Sequence, residues 1–513
     1  MKKVFAVTLA ALLLLSFAAC GGSASGGGNG GTGGDAGATS FTWVQGADIT
    51  SLDPMIGKET SAVSFTCNIF DTLMQKDDSG NPLPGLAESW ENVDDLTWKF
   101  KIREGIKFHD GEIMDAEDVK FSLDRCIASP HVNYIVDFID TVEQTGDYEI
   151  VITTKNPYAP ILGNLAVPFA AILPKHLVEA DNDAFVANPV GTGAYKFVEW
   201  KQGEGGKLEA FDDYWQGTPA IKNLEMRVVP EAAQRTIALE TGEVDAAYDI
   251  PMNDVSKIQE KDDLQILDSP YLGMAYLAFN TNKAPFDNAK IRQAIRYAIN
   301  EQEIIDAVRS GQGEVATSLI PPAAFGYISD VPTYEFDLEK AKSLMAEAGY
   351  ADGFSCSMWV NENAERVEAC TILQAQLKQI GIELTLEVME FGSFIDRTSA
   401  AEHDIAYFSW TCATADADYN YNALYHSTQQ GNPGNRSFVN DPEVDRLIEA
   451  GRGTANADER KAFYAELETI VEEQAFYAPI FYSNLNVGTK KSVQGFVMQP
   501  NGYHRYYTVS FAS

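Results

Sequence analysis

Six cysteines, six histidines and the His109-Asp110 pair are the groups in this 513-residue chain to which catalytic chemistry would turn first. Nucleophilic or metal-assisted catalysis needs such groups gathered within a few ångströms, and short motifs are where that gathering shows in a sequence. Here the histidines stand singly, with no H-E-x-x-H and no Cys-x-x-Cys, so a resident zinc ion has no ligand set. Neither the G-x-S-x-G nucleophile turn nor a phosphate-cradling P-loop occurs. Gly26, Gly28 and Gly31 satisfy G-x-G-x-x-G, but no strand pattern precedes them and no helix pattern follows. The dinucleotide-binding reading therefore lacks its context. His109 and Asp110 are neighbours on an extended segment, where successive side chains point to opposite faces. No catalytic residue, metal or cofactor is assigned, and the chain is not read as an enzyme.

Cys20 is a different case. Lys2 and Lys3 open the chain, Val4 to Phe17 is mostly apolar, and Ala18-Ala19 lead into Cys20 and two glycines. The apolar run is short for a membrane span and reads as a signal peptide. A cysteine at its end resembles the bacterial lipoprotein processing site, which makes residues 1–20 a lipoprotein signal peptide. Acylation of Cys20 would then hold the chain at the outer face of the cytoplasmic membrane, an extracytoplasmic or periplasmic location. Residues 21–40 are half glycine and form a flexible Gly/Ser-rich tether with a reach on the order of 25 Å. The other five cysteines show no pairing pattern, and a chain this long needs no disulfide framework.

Composition narrows the partners. With 74 acidic against 38 basic residues the formal charge is −36, a field that repels phosphate backbones and excludes nucleic acid. The chain is 45% hydrophobic, and the residues beyond 40 contain no further membrane-length apolar run and exceed a single compact core. Two or three lobes are expected.

The elements fall into two regimes. Up to residue 170 the pattern is mainly strands: Phe41–Val44, Leu96–Ile102 with alternating apolar residues, and Glu149–Thr154. One helix, Asp115–Ala128, stands out there with Asp115 as its N-cap. From residue 285 helices alternate with strands, as in an α/β lobe. Asp287 is expected to cap a helix bearing Ile291, Ala294, Ile295 and Ala298, Asn300 a second ending near Gly311, and Asp337 a third closed by Gly349. Glu362–Ile380 reads as a helix followed by the strand Ile382, Leu384, Leu386, Val388. Asp441, Pro442 and Gly451 frame a further helix, and Asp458–Gln474 is the last.

Several blocks carry a resemblance: Leu86-Ala87-Glu88-Ser89-Trp90, Lys107-Phe108-His109-Asp110-Gly111 and Asp115-Ala116-Glu117-Asp118-Val119. Ser51-Leu52-Asp53-Pro54, Asn188 to Tyr195, Tyr276 to Thr281 and Phe286 to Asn300 continue it in order. Together they resemble the extracellular solute-binding proteins of ABC importers, solute-binding family 5, across residues 41–513. Within that pattern Asp110-Gly111 reads as a tight turn, and Gly191-Thr192-Gly193 as a loop of unusual backbone angles between lobes.

The resemblance implies a mixed α/β, α+β fold of the two-lobed periplasmic-binding-protein type II kind, with an extra subdomain in lobe I. Lobe I is placed at 41–275 plus 481–513, its variable subdomain at about 60–170, and lobe II at 276–480. Ligand-binding residues are implied by the same resemblance. Trp410 supplies stacking area, Arg366 faces a ligand carboxylate, and Tyr276 and Tyr419 are aromatic walls. The segment Lys58–Ser61 borders the cleft. Where dipeptide-binding members carry an aspartate three residues after the tryptophan, this chain has Ala413. Asp416 and Asp418 follow in a T-x-D-A-D pattern similar to the glutathione-binding branch, and either hold a ligand cation or cap the next turn. The implied function is the binding component of an ABC importer. It captures short peptides or peptide-like, glutathione-like solutes by hinge closure and acts as a monomer beside the membrane permease. Within the same fold the alternatives are a nickel chelate or an oligosaccharide; a secreted hydrolase is the alternative of another class.

Overall fold

A computed structural model describes residues 39–512 apart from 58, 78–81 and 432–433. Cys20, the signal peptide and the tether up to residue 38 lie outside the described residues. The spine of the molecule is a pair of long antiparallel strands, Leu264–Phe279 and Tyr477–Lys490, matched from Leu264 opposite Lys490 to Ala278 opposite Tyr477. They sit inside one mixed sheet of eleven strands. On one side the sheet continues through Ala246–Tyr248, Ser40–Gln45, Asn223–Val228, Gly205–Ala210 and Tyr195–Lys201. On the other it continues through Ile405–Thr411, Phe354–Asn361 and Ile382–Met389.

Alternation along the strands builds a core on each face of each end. Phe41 and Trp43 enter one cluster while Val44, between Trp43 and Gln45, joins Leu239, Val244 and Ile250 on the opposite face. At the far end Leu277 and Phe279 pack with Ile405 and Tyr407, whereas Tyr276 and Ala278 pack with Ala406 and Phe408. The core changes hands along the spine near a bulge, where the pairing slips between Pro270 and Met274. The lobe borders expected at 275/276 and 480/481 fall within these two strands.

A separate antiparallel sheet, Ala87–Asn92, Thr97–Ile102, Glu149–Thr154 and Ile139–Gly146, lies inside the 60–170 segment. The helix Ala116–Ala128 covers it, and its start is a full capping box. Asp115 accepts from the Glu117 and Asp118 amides at 2.8 and 3.3 Å, and Asp118 accepts from the Asp115 amide at 3.2 Å. Its Arg125 forks onto the fully buried Asp53 at 3.1 and 2.5 Å, which ties Ser51–Pro54 to the helix.

Four local expectations need correction. The helix Ala289–Ala298 is capped by Asn288, whose side chain accepts from Lys290 N, and not by Asp287. Gly451 does not end its helix, which runs Pro442–Gly453; a Cβ there would stand 2.5 Å from the Tyr464 ring. The helix Thr60–Thr66 was not anticipated, because its residues carry β-branched and hydroxyl side chains of modest helix propensity. Gly191 and Gly193 have ordinary φ, and what they supply is closeness. Added Cβ atoms would lie 2.1 Å from Ile69 O and 2.5 Å from Asn68 O, within one core rather than between lobes. Gly193→Ala is therefore expected to destabilise the chain by about 1–3 kcal/mol, since the obstructing atoms are backbone. Urea unfolding checks it, and an unchanged midpoint would contradict the contact.

The same loop explains His109. Its Nδ1 accepts from Gly191 N at 3.3 Å and its Nε2 lies 2.9 Å from Gly193 O, while Asp110 pairs with His176 at 2.8 Å. Burial pushes the His109 imidazole down to about 4, so it is a neutral cross-brace.

Candidate functional site

The strand Ile405–Thr411 runs antiparallel to Leu264–Phe279, with Phe408 opposite Tyr276 and Trp410 opposite Met274. Residues two apart share a face, so Phe408 and Trp410 look the same way. Tyr276 stacks on Phe408 with centroids 5.8 Å apart, and Trp410 meets Tyr419 at 5.7 Å. Trp410 is held by its indole N–H, which donates to Asn420 Oδ1 at 3.1 Å. These four rings line a cavity of about 360 Å³ together with Tyr134, Phe169 and Tyr503. They come from different cores: Phe169 and Tyr503 from that of the first half, Tyr276 and Phe408 from that of the second.

Arg366 enters the cavity from the first turn of the helix Ala364–Lys378, whose cap Asn363 accepts from Arg366 N at 3.1 Å. Its Nη1 donates to Asn361 Oδ1 at 2.6 Å and its Nη2 to Ser409 Oγ. Both partners are neutral, and among the described residues no carboxylate pairs with it. Burial lowers its affinity for the proton from the usual guanidinium value. The Tyr276 phenol is pushed well above its ordinary range by burial, and Arg436 and Arg366 both pull it the other way, which places the two cations beside it.

Thus Trp410, Tyr276, Tyr419 and Arg366 are brought together around one cavity, and Ala413 lines it too. Asp416 and Asp418 are not among its lining residues. Asp416 caps the helix Ala417–Tyr425, accepting from Asp418 N at 3.0 Å, and receives a two-pronged bond from Arg460 at 2.7 and 2.9 Å. Asp418 is 2% exposed, receives Arg452 through two bonds of 3.0 Å, and accepts from the Tyr158 hydroxyl at 3.1 Å. Of the two roles left open for these aspartates, capping is the one the geometry of Asp416 realises; both carboxylates are already committed to guanidinium groups. Lys76 Nζ donates to Thr414 O, so the 412–418 turn is clamped from three sides.

Residues not anticipated are Arg436, Tyr134, Phe169 and Tyr503, together with the choice of Glu59 and Thr60 within Lys58–Ser61. Lys58 lies outside the described residues. Arg436 follows Gly434-Asn435 in a polar loop with no periodicity, where a lone arginine reads as solvated. Its burial comes only from tertiary packing. Among the described residues no three His, Cys, Asp or Glu side chains are grouped to hold a metal ion, and no helix is long and apolar enough to cross a membrane. The arrangement is suited to holding a solute: apolar walls and a few fixed polar groups.

Comparison with known proteins agrees. Residues 81–432 match the family "Bacterial extracellular solute-binding proteins, family 5 Middle". Heme-binding protein A of Haemophilus influenzae is 31% identical over 89% of both chains. The dipeptide-binding protein of Escherichia coli is 31% identical over 83% of this chain and 86% of its own. Among solved structures, the ABC transporter-associated periplasmic binding protein DppA from Helicobacter pylori, in complex with the peptide STSA, superposes with a TM-score of 0.84. It is 29% identical, and the match covers 92% of this chain and 98% of that one. The fold is accordingly the periplasmic-binding-protein type II fold. The chain belongs to the bacterial extracellular solute-binding proteins of family 5.

Proposed function

We propose that this chain captures a short peptide or peptide-like solute between its two halves and delivers it to the permease of an ABC importer. The observation that carries the reading is the cavity itself, walled by aromatics from both cores and entered by Arg366, a guanidinium with only neutral partners. A peptide carboxylate suits the bidentate fork of an arginine, and ring faces accept varied side chains. The likeness to a dipeptide-binding protein and to a structure holding a tetrapeptide supports the same class. The bulge at Pro270–Met274 lies where the spine passes between cores, so lobe closure is assigned to a hinge there. In this reading the binding protein works as a monomer, anchored through a lipid on Cys20, with residues 21–40 as its tether.

Thermal-shift screening of the purified chain tests the ligand class with separate panels of short peptides, glutathione, nickel–histidine and sugars. A ligand present at a hundred times its Kd adds about 2.7 kcal/mol of stability, so a true ligand is easily seen. Peptides or glutathione are expected to give the shift; a shift with sugars or nickel–histidine alone would sink the peptide reading.

A further inference from the structure

The cavity contains a second cation, and its surroundings are unlike those of the other buried arginines. Arg235 donates to four backbone carbonyls, Arg292 to three, Arg296 pairs with Glu472, and Arg460 pairs with Asp416. Arg436 is more deeply buried than any of these, at 2% exposure, yet its Nε and Nη1 have no hydrogen-bond partner among the described residues. Its backbone is fixed: Arg436 N donates to Gly434 O at 2.7 Å, and Arg436 O lies 3.0 Å from Nε2 of the buried His403. A buried unpaired guanidinium is costly, and nothing among the described residues offsets it.

The charge balance of the cavity points the same way. In a chain with nearly twice as many acids as bases, the charged groups lining this space among the described residues are Arg366, Arg436 and Glu59. Glu59 stands exposed at the rim, where its Oε2 accepts from Thr50 Oγ1 at 2.6 Å. The turn after Trp410 adds no carboxylate, because Ala413 faces the cavity while Asp416 and Asp418 are held outside it by Arg460 and Arg452. The cavity is therefore net cationic inside a strongly anionic protein.

Resting on the peptide-like reading, we infer that Arg436 is a second anion receptor and that the cleft selects solutes carrying a net negative charge. A ligand with acidic groups beyond one terminal carboxylate places them on Arg366 and Arg436 together, and a free ligand ammonium is not required. The anion meets Arg436 where it lines the cavity and supplies the counter-charge that this guanidinium lacks among the described residues.

Calorimetric titration of the purified chain with the dipeptides Glu-Glu and Gln-Gln, and with N-acetyl-Glu-Glu, tests this. Glu-Glu is expected to bind at least about tenfold more tightly than Gln-Gln, the effect of one charge-assisted bond, and N-acetylation to change affinity by less than about threefold. Arg436→Gln is expected to bring Glu-Glu down to the affinity of Gln-Gln, with an unliganded melting temperature equal to or above that of the parent. Equal affinities in the parent, or a Glu-Glu preference that survives Arg436→Gln, would overturn the inference. A purely structural arginine would instead lower the unliganded melting temperature and leave the preference intact. Should Arg436→Gln not fold, Arg436→Lys decides on the same ratio, since it gives up the fork; an unchanged ratio counts against the inference. If none of the three peptides binds, the peptide reading fails separately. Succinate against succinamide then decides the anion preference, and no binding specific to succinate overturns it.

Discussion

Replacing Asp418 by Ala is expected to lower the stability of the chain by about 3–5 kcal/mol, because it leaves the Arg452 guanidinium in the interior without its carboxylate. Asp418 is almost wholly buried, and both of its oxygens are used: two bonds from Arg452 and one from the Tyr158 hydroxyl. The backbone repeats the link, since Ala159 N donates to Arg452 O at 2.7 Å. Tyr158 packs in the core of the first half and Asp418 starts a helix of the second, so the cluster staples the two. Tyr158→Phe removes the bond to Asp418 and the one its hydroxyl accepts from Asn164 Nδ2 at 3.0 Å but keeps the ion pair, so its cost is expected near 1.5–3 kcal/mol. Urea unfolding of the three proteins separates the cases. An Asp418→Ala loss no larger than that of Tyr158→Phe would show that the ion pair contributes little.

Arg366→Ala is expected to weaken binding of a carboxylate-bearing solute by about 2–5 kcal/mol, which is about 30-fold to several thousand-fold in Kd. The residue is placed by a helix cap rather than by an ion pair, and Asn361 and Ser409 orient its fork without neutralising it. Its removal should leave the fold intact, because no buried carboxylate is stranded. Titration calorimetry with the best peptide from the thermal-shift panel measures the loss, and the melting temperature of the unliganded variant should stay close to that of the parent. Unchanged affinity would remove Arg366 from the site.

The secondary structure was legible where local chemistry decides it. Asp115, Asn300, Asp337 and Asp441 cap the helices their positions announce, because an N-cap acts on amides two or three residues away. Asp287 misled because Asn288 stands beside it and tertiary contacts chose between two competent caps. The glycines at 191 and 193 showed that something needed them, but a close approach to Asn68 and Ile69 involves residues about 120 positions away. The site divides in the same way. Trp410, Tyr276, Tyr419 and Arg366 came from likeness to a family pattern, and they surround one cavity. Arg436 was silent because a charged residue in a polar loop looks the same whether it is solvated or buried. Asp416 and Asp418 were ambiguous because their partners, Arg460 and Arg452, lie 44 and 34 residues further on.

The long strand Tyr477–Lys490 bears on how such a chain comes into being. It is the last strand of the large sheet in sequence, yet it lies in the middle, between Leu264–Phe279 and Ala246–Tyr248. Until those residues emerge, the strands on its two sides have no common neighbour and the lobes cannot be joined. Pairings this remote in sequence form slowly, since the chain must first close very long loops. A polypeptide emerging from the ribosome therefore stays without its central seam until every other strand of the sheet has been made. That order keeps the chain from setting into its final sheet while its other strands are still being made.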